Sequence, residues 1–147
     1  STTQIAALTT TQFSNMSTKQ LAALSVTQIA AMETVDLNSL STDQVSNLTT
    51  AQIAALTTAQ VVALNKAQAS SLTTKQLVSL SATQIKAMET RDIAAMDTVQ
   101  ITSLTTTQIA SMTTGQIKGM TGDIAGATQQ IAEILFFAVL ASRFGTI

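Results

Sequence analysis

An eight-residue period is the sequence feature that most constrains how this chain can fold. From Ser1 to Met120 the sequence divides without a gap into fifteen octads, numbered here in chain order. Position 8 of every octad is Leu or Met, and position 5 is always apolar, with Ala69 its smallest member. Such a register is typical of a repeat protein in which each unit is stable only between its neighbours.

Positions 1 and 4 of the octad carry the signal of a helix start. Position 1 is Ser, Thr, Asn or Asp in thirteen octads, and position 4 is Gln in thirteen. A hydroxyl followed three residues later by Gln forms a capping box, in which each side chain accepts a hydrogen bond from the other residue's backbone amide. We therefore predict capping pairs such as Thr49 with Gln52 and Thr57 with Gln60, each contributing about 1 kcal/mol.

Two other architectures fit the octad less well. In one continuous helix, eight residues make about 2.2 turns, so the apolar stripe would rotate by roughly 80° with each repeat. In a β-solenoid, positions 5 and 8 would point to opposite faces of a strand. We predict an all-α solenoid of about fifteen two-turn helices, one per octad, followed by a longer apolar C-terminal helix. Its core comprises positions 5 and 8, represented by Ile5, Leu8, Ile29, Met32, Ile53, Leu56, Ile85, Met88, Ile109 and Met112.

A longer repeat lies above the octad within the predicted solenoid, residues 1–120. Aligning residues 1–56 with residues 57–112 matches 28 of 56 positions, which indicates that a block of seven octads was duplicated, with one further octad after it. The block length suggests the hypothesis that seven octads complete one superhelical turn.

The octad register slips after Met120, and residues 121–147 form a second region. We predict a linker and an apolar helix from about Gln129 to Phe144. The uncharged stretch between Glu133 and Arg143 is shorter than the roughly 20 residues of a transmembrane helix, so a membrane partner is not expected. The helix is expected either to cap the last octads or to insert into the next subunit. Its candidate assembly residues are Ile134, Leu135, Phe136, Phe137, Val139, Leu140 and Phe144.

Two octads replace both capping residues with acids. Glu33 with Asp36, and Glu89 with Asp92, occupy positions 1 and 4 in octads one block apart. We expect acidic capping at the positive end of each short helix. The alternative is a carboxylate site for a cation. For the Thr/Gln pattern as a whole, the alternative to capping is a surface that binds a polymer or lattice.

Composition limits the chemistry available to the chain. It contains no His, Cys, Trp or Tyr, so histidine acid–base relays, thiol nucleophiles and common zinc sites are excluded. We predict that the protein is not an enzyme and has no metal and no cofactor. The formal net charge of -1 lacks the basic excess that nucleic acid requires, so we expect no nucleic-acid partner.

The tract L-T-T-A-Q-I-A-A-L at residues 48–56 carries a family resemblance. It is similar to the octapeptide arrays of very large secreted or surface-attached proteins of Gram-negative bacteria. The likeness extends over residues 1–120 and implies an extracellular spacer, an adhesin stalk or a filament. It brings no catalytic residues.

The two ends of the array predict how copies could associate. The first octad, STTQIAAL, is a perfect internal repeat without a polar cap, whereas the other end carries a surplus apolar helix. We expect a non-enzymatic structural protein that binds itself head to tail, a contact that generates open extracellular filaments. One alternative is a stalk or adhesion and biofilm module that contacts a surface polymer, part of a much larger array. The other is a membrane-active protein acting through its C-terminal helix.

Overall fold

A computed structural model describes residues 1–122, and their side chains as far as Met120. All regular secondary structure within these residues is α-helical, and it forms one short helix per octad. The helices are α1 (Thr2–Ala6), α2 (Thr10–Ser14), α3 (Thr18–Ala22), α4 (Val26–Ala30), α5 (Thr34–Ser39), α6 (Thr42–Ser46), α7 (Thr50–Ala54), α8 (Thr58–Ala63), α9 (Lys66–Ser71), α10 (Thr74–Ser79), α11 (Ala82–Ala87), α12 (Thr90–Ile93), α13 (Thr98–Ser103), α14 (Thr106–Ser111) and α15 (Thr114–Gly122). The predicted all-α solenoid is confirmed.

The helices are shorter than the two turns predicted. Each begins at position 2, and α1 to α14 contain four to six residues, about one and a half turns at most. The reason is that position 1 and, in many octads, position 8 are extended, as Leu40 is with φ -66 and ψ 141. The extended residues turn the chain so that the next helix can start in a new direction.

These helices end without the usual glycine cap. Residues 1–122 contain no residue with positive φ, so the left-handed C-cap that ends many helices does not occur in them. The last carbonyl groups of a helix have no partner within it. The position 5 carbonyl accepts from the position 8 amide of its own octad, as Leu37 does from Leu40, but the carbonyls at positions 6 and 8 need donors from elsewhere in the fold.

Positions 5 and 8 form the continuous core of the solenoid. Phe13, Leu37 and Ile53 at position 5 are completely buried, and so is the small Ala69. Of the ten representative core residues predicted, nine are buried and Leu8 is half-buried. Each fully buried aliphatic side chain contributes about 1.5–3 kcal/mol, which offsets the entropy of ordering such short helices.

The helices wind into a superhelix whose turn takes between three and four octads. Each helix packs against the third helix before and after it, as α5 does with α2 and α8. Side-chain hydrogen bonds reach one octad further, to carbonyls 28 to 31 residues earlier in the chain. One turn therefore takes about 28 residues, or three and a half octads.

The hypothesis that seven octads complete one superhelical turn was wrong, because at about 28 residues per turn seven octads fill two turns. Since one turn contains three and a half octads, seven octads are the smallest block that completes a whole number of turns. Equivalent residues of the two blocks, such as Asp36 and Asp92, consequently lie on the same side of the superhelix.

The predicted C-terminal helix, Gln129 to Phe144, and the assembly residues placed on it lie outside the described residues. The last helix, α15, extends to Gly122, two residues beyond the final octad. Among residues 1–122, the structure contains no helix with the length and apolar character that crossing a membrane requires.

Candidate functional site

The glutamine at position 4 forms hydrogen bonds in two directions. The side-chain oxygen of Gln60 accepts from the backbone amide of Thr57 at 2.9 Å, and the backbone amide of Gln60 donates to the Thr57 hydroxyl at 3.2 Å. The side-chain nitrogen of Gln60 donates to the carbonyl oxygens of Ile29 and Met32, both at 2.9 Å. One side chain therefore caps the start of α8 and donates hydrogen bonds to carbonyls at the end of α4.

The same arrangement recurs along the superhelix and is called here the glutamine ladder. In every member, the side-chain nitrogen lies 2.6–2.9 Å from the position 8 carbonyl 28 residues earlier. All members are buried, and each such hydrogen bond contributes about 0.5–1.5 kcal/mol. The ladder consists of Gln44, Gln52, Gln60, Gln68, Gln76, Gln84, Gln100, Gln108 and Gln116.

The first turn of the solenoid forms only half of this arrangement. Gln4, Gln12, Gln20 and Gln28 take part in capping boxes. The carbonyls that the register assigns to their side-chain nitrogens would lie 28 to 31 residues earlier, before Ser1. Gln4, Gln12 and Gln20 are accordingly exposed and Gln28 is half-buried, whereas the ladder glutamines are buried.

The predicted capping pairs have the geometry expected of them. Thr49 and Gln52 exchange both capping-box hydrogen bonds, with the Thr49 amide 2.8 Å from the Gln52 side-chain oxygen. Thr57 and Gln60 do the same.

Sequence reasoning missed the second half of the glutamine's role, the donation across the superhelical turn. A signal for it was present, because a capping box accepts Glu as readily as Gln, yet none of the fifteen octads has Glu at position 4. A carboxylate can only accept hydrogen bonds when ionised, whereas the amide can also donate.

The expectation of acidic capping was only partly correct for Glu33 and Glu89. Both occupy the N-cap position, at the positive end of their helices, but neither side chain accepts a capping hydrogen bond from its helix. The longer Glu side chain is not among the residues that suit this position, where short side chains reach the N3 amide. Glu89 instead forms an ion pair with Arg91, at 2.7 Å from Nε.

Asp36 and Asp92 replace glutamine at position 4 and lie in the core of the ladder, 3% and 1% exposed. Burial raises the pKa of Asp36, the Glu33 carboxylate raises it further, and a hydrogen bond from the Glu33 backbone lowers it. The pKa of Asp92 is raised by burial, against the lowering effect of Arg91 and with a smaller rise from Glu89. The buried Oδ1 of Asp92 has no hydrogen-bond partner.

An open groove lies along α10, and Lys75 is the one ionisable side chain that lines it. Its lining residues are Thr50, Thr74, Lys75, Val78, Ser79 and Ser103. Among residues 1–122, no three His, Cys, Asp or Glu side chains lie close enough together to hold a metal ion.

Comparison with known families fits this repeat geometry. The family model of the ALTTAQ repeat matches residues 29–66 and 85–122, together just over half of the chain. The chain belongs to the ALTTAQ repeat family. The ALTTAQ signature occurs unchanged at residues 55–60, where it joins the core residue Leu56 to the capping pair Thr57 and Gln60. The resemblance to octapeptide arrays is thereby confirmed.

The two ALTTAQ matches begin 56 residues apart, so they start at the same octad position in the two duplicated blocks. No curated protein and no solved structure matches the chain.

Proposed function

We propose that this ALTTAQ repeat protein is a non-enzymatic structural subunit whose copies assemble head to tail into an extracellular filament. The observation that carries the proposal is that each turn of the solenoid binds the next through the same repeated contact, with glutamine donors on one face and carbonyl acceptors on the other.

The donor face is the first turn, octads 1 to 4. Gln4, Gln12 and Gln20 hold their side-chain oxygens in the same capping boxes as the ladder glutamines, and their side chains are exposed. Leu8, Met16 and Leu24 on this turn are only partly buried, whereas the position 8 residues from Met32 onward are buried. A preceding turn of solenoid would cover these apolar side chains and accept from the amides.

Within the described residues, the acceptor face is the last turn of octads. The carbonyls of Ile85 and Met88 in octad 11 are the last there to accept from a ladder glutamine, Gln116. The octads that follow present their carbonyls in the same register, and the glutamines of the first turn of another copy have the spacing and chemistry to bind them.

Head-to-tail contact of this kind joins the donor face of one copy to the acceptor face of another. A heterologous contact whose rotation does not close generates an open helical filament, and a superhelix adds turns without closing. The extracellular location is supported by the likeness to secreted octapeptide arrays, and a chain without cysteine is compatible with it. A non-enzymatic role is supported by the lack of histidine, cysteine and tyrosine side chains.

Negative-stain electron microscopy and sedimentation velocity of the full chain test the proposal. We expect the unmodified chain to form filaments and the triple variant Gln4→Glu, Gln12→Glu, Gln20→Glu to remain monomeric, because the carboxylates would repel the carbonyls of the next copy. The matched control Thr3→Glu, Thr11→Glu, Thr27→Glu adds the same charge to exposed sites outside the ladder and should still assemble.

A chain that stays monomeric at high concentration would contradict filament formation and favour the stalk or adhesion module. Filaments that survive the glutamine variant would show that another surface joins the copies. Protease digestion of intact cells tests the location separately, because an extracellular filament should be digested without lysis.

A further inference from the structure

The glutamine ladder is interrupted in octads 5 and 12, where Asp36 and Asp92 stand at position 4. The interruption at Asp92 leaves a buried oxygen, Oδ1, without a hydrogen-bond partner. Burying an unsatisfied polar atom is costly, and a buried charge is costlier still, so this position requires a physical explanation.

The octads on either side of Asp92 show what occupies this place elsewhere in the ladder. The side-chain nitrogen of Gln84 lies 3.2 Å from the Ala54 carbonyl and 2.7 Å from the Leu56 carbonyl. That of Gln100 lies 3.0 Å from the Ser70 carbonyl and 2.6 Å from the Leu72 carbonyl. In each case, carbonyl oxygens from one octad converge on a group that carries partial positive charge.

The same register at octad 12 assigns Asp92 to the carbonyls of Val61, Val62 and Leu64. An ionised carboxylate has no hydrogen to donate to them. The site therefore brings together carboxylate oxygens and carbonyl oxygens, all acceptors, without the donor that the ladder supplies in its other octads.

Arg91 does not resolve this surplus of acceptors. Its Nε lies 2.7 Å from Glu89 but 3.6 Å from Asp92 Oδ1, beyond hydrogen-bond distance, and its side chain is 68% exposed. The three side chains together carry a formal charge of -1. Arg91 thus offsets the charge of one of the two carboxylates but donates no hydrogen bond to Asp92 Oδ1.

We propose that Asp92 and the carbonyls of Val61, Val62 and Leu64 bind a hard metal cation. Oxygen atoms alone, from one carboxylate and several carbonyls, form the ligand set that Ca²⁺ and the alkali cations prefer.

The dimensions of the site suit such an ion. Asp is shorter than Gln by one methylene, which withdraws the carboxylate by about 1.3 Å from the place of the amide nitrogen. The nitrogens of the neighbouring Gln84 and Gln100 lie 2.6–3.2 Å from their carbonyls, so the carboxylate and carbonyl oxygens at octad 12 are expected about 4 Å apart. Two metal–oxygen bonds of about 2.4 Å that meet at an angle span this distance.

Octad 5 repeats the arrangement without the arginine, since Val35 stands where octad 12 has Arg91. The test therefore uses the full chain with Asp36→Gln, which leaves Asp92 as the only acid at position 4. It is compared with the double variant Asp36→Gln, Asp92→Gln, which restores glutamine in all fifteen octads. The control Asp36→Gln, Asp43→Asn removes an exposed carboxylate outside the ladder.

Thermal unfolding is followed by circular dichroism at pH 7 and constant ionic strength, with tetramethylammonium chloride as the reference salt and CaCl₂ or NaCl as the probe. We expect a metal chloride to raise the Tm of the Asp36→Gln chain and of the Asp43→Asn control by several degrees. The double variant should show no such rise, and calorimetric titration of CaCl₂ or NaCl should lose one equivalent of binding with it.

An equal response to metal and tetramethylammonium chloride in the Asp36→Gln chain would overturn the proposal. So would a metal response that persists unchanged in the double variant, because binding would then lie elsewhere. The result does not depend on filament formation, since the variants alter the interior of the solenoid and not its donor face.

Discussion

The side-chain nitrogen of Gln76 donates to the carbonyl oxygen of Leu48, 28 residues earlier, at 2.7 Å, while its side-chain oxygen accepts from the Thr73 amide at 2.8 Å. Gln76 thereby joins the start of α10 to the end of α6. The helices of this repeat are too short to be stable alone, and they end without glycine caps. Each ladder glutamine therefore supplies both a local cap and a tie between adjacent turns of the superhelix.

Gln76→Glu separates these two roles. The carboxylate keeps the acceptor for the capping box but places a buried charge against the carbonyls of Val45, Ser46 and Leu48, which now accept from Gln76. We expect a loss of about 2–4 kcal/mol in the free energy of unfolding, measured by urea denaturation.

Gln12→Glu, compared at concentrations where both variants are monomeric, is the matched control, because within one chain Gln12 is exposed and forms only the capping box. Its effect should stay within about 0.5 kcal/mol. Equal losses in the two variants would show that the cap, and not the donation across the turn, accounts for the stability.

Asp36→Gln should restore the ladder and change the pH dependence of stability. Burial and the Glu33 carboxylate raise the pKa of Asp36, and neither α2 nor α8, which pack against α5, carries an ionisable side chain. The folded state therefore holds the proton more tightly than the unfolded state. The stability that this group contributes is present below its ordinary pKa of 3.8 and is lost as the pH rises through the raised folded value.

In buffer without metal cations, we expect Asp36→Gln to be more stable than the unmodified chain at pH 7, by about 1 kcal/mol. The difference should shrink as the pH falls toward 4. Urea denaturation across this range provides the measurement, and a gap that widens in acid would contradict the assignment.

Glu33→Ser should improve the start of α5. Glu33 stands at the N-cap without accepting a hydrogen bond, whereas serines at the same position, such as Ser41, form full capping boxes. The serine hydroxyl can accept from the Asp36 amide, so we expect a gain of about 0.5–1 kcal/mol in chemical denaturation. Thr49→Ala, which removes an existing cap, should have the opposite sign and a similar size.

Ile53→Asp should unfold the octads around it. Ile53 is completely buried at position 5, and an unpaired carboxylate there would be desolvated among aliphatic side chains. Since each octad depends on its neighbours, we expect the helical circular dichroism signal to fall by more than one octad's share. Ala51→Asp, an exposed change two residues earlier in the same helix, should leave the spectrum unchanged.

Much of the architecture could be predicted from the octad alone. The capping pair at positions 1 and 4 located the helix starts of thirteen octads, as with Thr57 and Gln60, and the apolar residues at positions 5 and 8 identified the core. The lengths of α1 to α14 were overestimated, because the extended conformation at position 8 depends on the direction in which the next helix must pack.

The unpaired oxygen of Asp92 and the missing capping hydrogen bond at Glu33 could not be predicted from the sequence either. Sequence reasoning treated each acidic pair as a unit at the start of one helix. The structure separates them, since position 1 lies at the surface of the solenoid and position 4 lies between its turns.

The sequence by itself determined the local events: where each helix starts, which side chains leave water, and that the units cannot stand alone. These local features depend on contacts within eight residues, so the side chains of a single repeat determine them. Only the tertiary structure decided that a turn takes about 28 residues and that the glutamine nitrogen reaches across it. The angle between successive short helices fixes that distance, and this angle results from packing between octads far apart in the chain.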